Sequence, residues 1–170
     1  MVSVMNPCPY GYFSDPKKEC TCSSSAVSRY QKRVSGPLLD RIDVFVEVPP
    51  VEYEKPVDEA PAQDSSYARQ RVEQARDLQR ERFKDNGFLC NSEMGPAEVW
   101  QSCPLDESAK SLLQAATQRL NLFARAFHRI LKASRTIADL DAARDIGVSH
   151  LAEALQYRSR GFGGKGSGNT

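Results

Sequence analysis

No run of about 18 apolar residues occurs anywhere in the chain, so nothing in it is built to span a membrane as a helix. The opening residues, MVSVMNPC, lack the apolar centre of a secretory leader, and a reducing, cytoplasmic location is the expectation that follows. Five cysteines make an odd count, which argues further against a disulfide framework. A formal net charge of +1 gives no whole-molecule field to attract nucleic acid; such binding has to come from a local patch. There are only two histidines, His128 and His150, and neither falls into a Ser/His/Asp arrangement. Also missing is the Gly-rich loop ending in Lys-Ser/Thr whose backbone amides cradle phosphates. The one glycine-rich tract, GFGGKGSGNT, follows no strand and precedes no helix, so the sequence carries no nucleotide cradle of its own.

What is present fits a folded protein of one ordinary domain or two small ones: 170 residues, 40% hydrophobic and 26% charged, which is globular rather than disordered usage. The segment NPCPYGYFSDPKKECTCS crowds Cys8, Cys20 and Cys22 among prolines and turn residues. Two readings of it stay open. Three thiolates supply most of a zinc site, which wants four ligands in a tetrahedron, but Tyr10 stands where a second Cys-x-Cys partner belongs. Otherwise it is a turn loop with unpaired thiols. Val2 to Met5 before it is short enough to be the end of a buried strand or nothing regular.

Further on, 23–33 places Ala26, Val27 and Tyr30 on one side of a helix, and Ser35-Gly36-Pro37 breaks it. IDVFVEV (42–48) alternates apolar and charged residues, the period of a strand, until Pro49 and Pro50 end it. Residues 49–64, with four prolines among carboxylates, read as a linker. Beyond them the period becomes helical. A helix over 65–84 sets Ala68, Val72, Ala75, Leu78 and Phe83 near one stripe, within a charge pattern that reads as a solvated face. A second over 106–120 has Asp106 as its cap and Ala109, Leu112, Leu113, Ala116 and Leu120 inward. A third over 123–139 turns Phe127, Ile130, Leu131, Ser134 and Ile137 inward and aligns Arg125, Arg129 and Lys132 on the opposite face. The last begins after Ser149 with Leu151 and Leu155, and the Gly/Ser-rich tail is expected to be disordered.

Two arginines are set where a phosphoryl group would use them. Arg41, in SGPLLDRID, precedes the expected strand, and Arg125, in ARAFHRIL, begins the cationic face of a helix. Arginines held in this way neutralise charge on a transferring phosphoryl group. On pattern alone, a surface ion pair for Arg41 and a solvated face for Arg125 and Arg129 are the favoured readings.

The long motifs MNPCP-GY, YQKRVSGPLLDRIDVFVEVP, RVEQAR and RAFHRILKASRTIADL…HLAEALQYR together resemble the magnesium-chelatase-like AAA+ ATPases, in particular the ComM/YifB competence-protein group. The resemblance runs from about Met5 to Arg158 and matches the C-terminal third of such proteins, without Walker A or Walker B. The implied fold is mainly α: an incomplete α/β ATPase core (1–50), a linker (51–64), a helical lid (65–160) and a flexible tail (161–170). The resemblance makes Asn6 the sensor 1 residue that feels the γ-phosphate, Arg41 the arginine finger offered to ATP on a neighbouring subunit, and Arg125 the sensor 2 residue that meets ATP on its own subunit. It implies ATP and Mg²⁺ as cofactors of a complete protein, a homo-hexamer of ATPase subunits and DNA as a partner, with branch-migration helicase work in natural transformation. Four cysteines are usual in the loop of this group, so with Tyr10 in one of those places zinc at Cys8, Cys20 and Cys22 stays an open expectation. Phe123 stands where the family has Ser, removing a helix cap for which Asn121 is the substitute.

Two other readings compete. One is an ATPase subunit of a magnesium chelatase proper, the sister branch of the same resemblance. The other is a small stand-alone nucleic-acid-binding module that uses the cysteine loop with Arg29, Lys32 and Arg33, whose phosphate contacts would be strongly salt-dependent. With no phosphate cradle, the chain by itself is expected neither to hydrolyse ATP nor to bind it appreciably.

Overall fold

The computed structural model describes residues 2–39, 41–48, 64–120 and 124–158, with only the backbone of Leu120. Seven α-helices follow in order: α1 (Ser24–Gln31), α2 (Gly36–Leu39), α3 (Ser65–Phe83), α4 (Pro96–Ser102), α5 (Glu107–Leu120), α6 (Ala124–Leu140) and α7 (Val148–Gln156), with a 3-10 turn at Asn91–Glu93. The mainly α expectation holds. The linker expected over 51–64 lies outside the described residues except for Asp64, and the tail over 161–170 lies wholly outside them. So do Asn121 and Phe123.

The expected strands are the correction. Among the described residues there is no β-strand, only an isolated parallel bridge between Leu105 and Ile146. Residues 42–48 alternate as anticipated, yet Val44, Val46 and Val48 are 49%, 66% and 83% exposed. Val2 and Val4 are almost fully exposed as well. Period-two alternation only prepares a chain for a ladder; the strand exists once a neighbour accepts and donates its hydrogen bonds. Neither segment is part of a ladder among the described residues.

The described residues fall into two compact units, 2–48 and 64–158. In the first, only Cys8 and Val27 among the described apolar side chains are buried. Ser23 caps α1 by accepting from the Ala26 N–H at 3.3 Å, and Gln31 at its other end donates to the Pro7 carbonyl at 3.1 Å, fastening the cysteine loop to the helix.

The second unit is organised around α6, which packs against α3, α4, α7 and the 3-10 turn, while α5 lies on α7. Phe83, Val99, Ala109, Leu131, Ala138, Ile146 and Leu151 are each 1% exposed or less. Burying a side chain the size of Leu or Phe contributes about 1.5–3 kcal/mol, so this cluster dominates the stability of the unit. Asp106 caps α5, accepting from the Ala109 N–H at 2.6 Å. On α3 the inward residues are Ala75, Gln79 and Phe83, whereas Val72 and Leu78 stay 51% and 41% exposed. Its charge alternation is largely the solvated face expected, with exposed pairs Arg69–Glu73, Arg80–Asp77 and Lys84–Glu81.

Arg71 leaves that face for the Leu140 carbonyl at 3.2 Å and Asp141 at 3.3 Å, and Arg82 goes further, to a buried partner. Arg82 bridges to the Asp139 carboxylate, which is fully buried, and to the Asn91 side chain at 2.8 Å. Asp139 also accepts from Arg135 Nε at 3.0 Å and from Asn91 Nδ2 at 2.8 Å. The rest of the Arg135 guanidinium donates to the Ala143 and Arg144 carbonyls at 2.6 and 2.8 Å. These bonds hold the turn after α6, where Ala142 has φ +52°, a left-handed conformation in which a Cβ is disfavoured. Every member of this buried network has its partners, and no buried side-chain polar atom among the described residues lacks one.

Two outcomes follow. Asp139→Ala leaves Arg135 buried without its counter-charge, and should destabilise the second unit by about 3–5 kcal/mol in denaturant melts. Hydrogen exchange should show protection concentrated in α3 and α5–α7, with 2–48 exchanging early; equal protection in both units would contradict the difference in burial.

Candidate functional site

The cysteine loop is built by its backbone. Gly11, at φ +94°, takes the left-handed conformation that glycine adopts at no steric cost, and its N–H turns back onto Cys8, 3.0 Å from Sγ and 3.1 Å from the carbonyl oxygen. Asp15 closes the far side of the loop by accepting from the Lys17 and Lys18 N–H groups at 2.8 and 3.1 Å. The outcome is that Cys8, Cys20 and Cys22 present sulfurs all within 4.8 Å of one another, with Cys8 and Cys20 at 3.6 Å and Cys8 fully buried. All five cysteines are free thiols.

Burial pushes the Cys8 thiol up, but hydrogen bonds from the Phe13 and Gly11 backbone and from the Cys20 and Cys22 thiols outweigh it and bring it down to about 7. Cys20 moves the other way. A backbone hydrogen bond at Cys22 draws it down, and burial together with the Cys8 and Cys22 sulfurs lifts it above the ordinary thiol. One thiolate is thus singled out within the trio.

A closed zinc site needs a fourth ligand, and among the described residues the cluster comprises these three alone. Tyr10 is 45% exposed, and its ring packs beside Tyr12 at a centroid distance of 5.0 Å, with the Lys18 ammonium 3.9 Å over Tyr12 and 5.5 Å from the Tyr10 ring. The remaining cysteines and histidines are engaged within the second unit. Cys103 is buried against the Leu131 carbonyl and pushed up to about 11 by burial. Cys90 bonds Ser92 at 2.9 Å. His150 accepts the Gly147 N–H through Nδ1 at 3.0 Å, and His128 stands edge-on to the Trp100 and Phe127 rings.

The three polar residues singled out in the sequence share one property. Asn6, Arg41 and Arg125 are exposed, and none of their side chains has a hydrogen-bond or ion-pair partner among the described residues. Asn6 lies two residues before Cys8. Arg41 sits in the turn after α2, its N–H donating to the Leu38 carbonyl at 2.9 Å. Arg125 is on the first turn of α6; of the two residues aligned with it, Lys132 reaches the Ser92 carbonyl at 3.0 Å and Arg129 is half-buried. Asn6 and Arg41 belong to the first unit and Arg125 to the second. Arg29, Lys32 and Arg33 are also exposed, at the end of α1.

Comparison with known proteins matches the same two segments. Residues 1–56 match the family described as magnesium chelatase, subunit ChlI, and residues 62–158 match magnesium chelatase, subunit ChlI C-terminal. The competence protein ComM of Haemophilus influenzae is 38% identical over 161 residues, covering 94% of this chain and 30% of that protein. The YifB proteins of Escherichia coli and Salmonella typhimurium are 37% and 32% identical, each over 94% of this chain and 30% of their own length. The chain thus spans about a third of the length of these relatives.

The Cys8 shift sets a pH dependence. Its folded value is depressed below the ordinary thiol, so the order it lends the loop is complete above about 9 and lost as pH falls through about 7. Thiolate ultraviolet absorbance should show one thiol titrating close to pH 7, and Cys8→Ser should remove that step and lower the Cys20 step, which the Cys8 sulfur raises.

Proposed function

The chain belongs to the magnesium chelatase ChlI family, in its ComM/YifB group, and from that membership we propose that it supplies the sensor, finger and lid portion of a ComM-like AAA+ ATPase. The observation that carries the reading is how the arginines are used. Arg82 and Arg135 are consumed by Asp139 inside the second unit, whereas Arg41 and Arg125 are held at element ends with no partner for their guanidiniums among the described residues. A guanidinium left unpaired on an ordered backbone is suited to an anion that arrives from outside.

In this reading ATP and Mg²⁺ are bound by a Walker A and Walker B core that this sequence does not contain. When bound they provide the phosphoryl group and its charge neutralisation. Asn6 hydrogen-bonds at the γ-phosphate as sensor 1. Arg125 meets ATP on its own subunit from the start of α6, and Arg41 reaches ATP on the next subunit of a hexameric ring. The complete motor processes DNA, as a branch-migrating helicase in natural transformation, in the cytoplasm. The domain layout that goes with this is core residues 1–50, linker 51–64, lid 65–160 and tail 161–170.

The test needs the segment joined to a complete ATPase core. An arginine finger is typically worth about 10³–10⁵ in rate, so Arg41→Ala should nearly abolish turnover while ATP stays bound. Subunits carrying Arg41→Ala are then mixed with subunits disabled in Walker A. Pockets of the first kind that face an intact Arg41 from the second should regain activity. The corresponding mixture with Arg125→Ala should stay silent, because the only pockets retaining Arg125 cannot hold ATP. Rescue in the second mixture, or none in the first, would overturn the two roles.

A further inference from the structure

The thiol trio fits one class of ion better than the zinc that the family resemblance suggests. Three sulfurs no more than 4.8 Å apart have a common centre within about 2.8 Å of each, near the metal–thiolate bond of about 2.3 Å. The loop therefore needs little movement to close on an ion. Among the described residues no further Cys, His or carboxylate joins the three, and Tyr10 packs against Tyr12 and Lys18. Structural zinc sites are closed by four ligands, and a zinc ion here would keep an open, water-filled position and exchange readily. Thiolates suit zinc and Cu(I) alike, but zinc takes four ligands in such sites whereas a monovalent d¹⁰ ion is satisfied by three sulfurs. Cys8, fully buried with the Gly11 N–H on its sulfur, gives the set a desolvated anchor.

We propose that Cys8, Cys20 and Cys22 form a three-coordinate thiolate site for a soft monovalent cation of the Cu(I) type, in preference to zinc. It is independent of the roles given to Arg41 and Arg125, so its failure would leave those untouched.

The whole chain is titrated without oxygen against Cu(I) held by a chromophoric chelator, and in parallel against Zn(II). One Cu(I) per chain should be withdrawn from the competitor, with near-ultraviolet thiolate-to-copper absorption and three sulfur neighbours by X-ray absorption. Zinc should be lost to an equimolar chelator. Cys8→Ser, Cys20→Ser and Cys22→Ser should each weaken Cu(I) at least about tenfold, whereas Cys90→Ser should change nothing. Tyr10→Cys guards against variants that merely misfold: it should raise zinc affinity by about tenfold or more, because a fourth anionic ligand closes the tetrahedron. The proposal is overturned by stoichiometric zinc held against the chelator in the parent chain. Cu(I) uptake that survives replacement of all three cysteines, or no uptake at all, overturns it equally.

Discussion

The Asp139 carboxylate, shielded from solvent and shared by two guanidiniums, is the interaction on which the helical unit depends. Arg135 reaches it from the same helix, Arg82 from α3, and the Asn91 side chain from the 3-10 turn. One anion thereby fixes three segments of chain against each other. A single Asp–Arg pair in the same place would leave one guanidinium with a large desolvation cost and little to offset it. The network avoids this because the remaining donors of Arg135 end on the carbonyls of the following turn. Those bonds also maintain Ala142 in its left-handed conformation, so the direction in which the chain leaves α6 depends on the same charge cluster. Ile146 and Leu151, just beyond the turn, reach the apolar core only if that direction is kept.

This arrangement explains what was legible in the sequence and what was not. The periodicity of α5 and α6 survives in the structure because apolar burial and helix geometry impose the same 3.6-residue pattern. Asp106 was readable as a cap because a short acceptor before an apolar run has one local use. Arg82 was not readable. Charged residues alternate along α3 in the same way whether a given arginine faces water or a buried carboxylate, and only the fold decides which. Arg135 is the sharper case, since it lies among the residues of α6 with every appearance of belonging to a cationic face. The seven-residue α4 is too short to show a period, and its only local signal is Gly95-Pro96, a non-helical residue followed by Pro at the first helical position.

The 42–48 segment fails for a different reason. Its alternation was correctly seen and its backbone is not helical, but strand formation is a property of pairs, and one segment specifies only half of a pair. A helix satisfies its hydrogen bonds within itself, so the helical unit forms from its own sequence. The first unit has no ladder among its described residues, and of its described apolar side chains only Cys8 and Val27 are buried.

The candidate site was legible residue by residue and not as a geometry. Spacing located the three cysteines, but nothing in the sequence distinguishes Cys8 from the other two. Its distinction comes from a glycine in the left-handed region, which returns an N–H to the sulfur and lets the loop bury it. Tyr10 shows the converse. As a letter it is a missing ligand, while in the loop its ring is tilted against Tyr12, whose face the Lys18 ammonium covers. The loop accordingly retains the form of a metal clip with one donor fewer, and the number of donors, more than the shape of the backbone, determines which ion such a clip can hold.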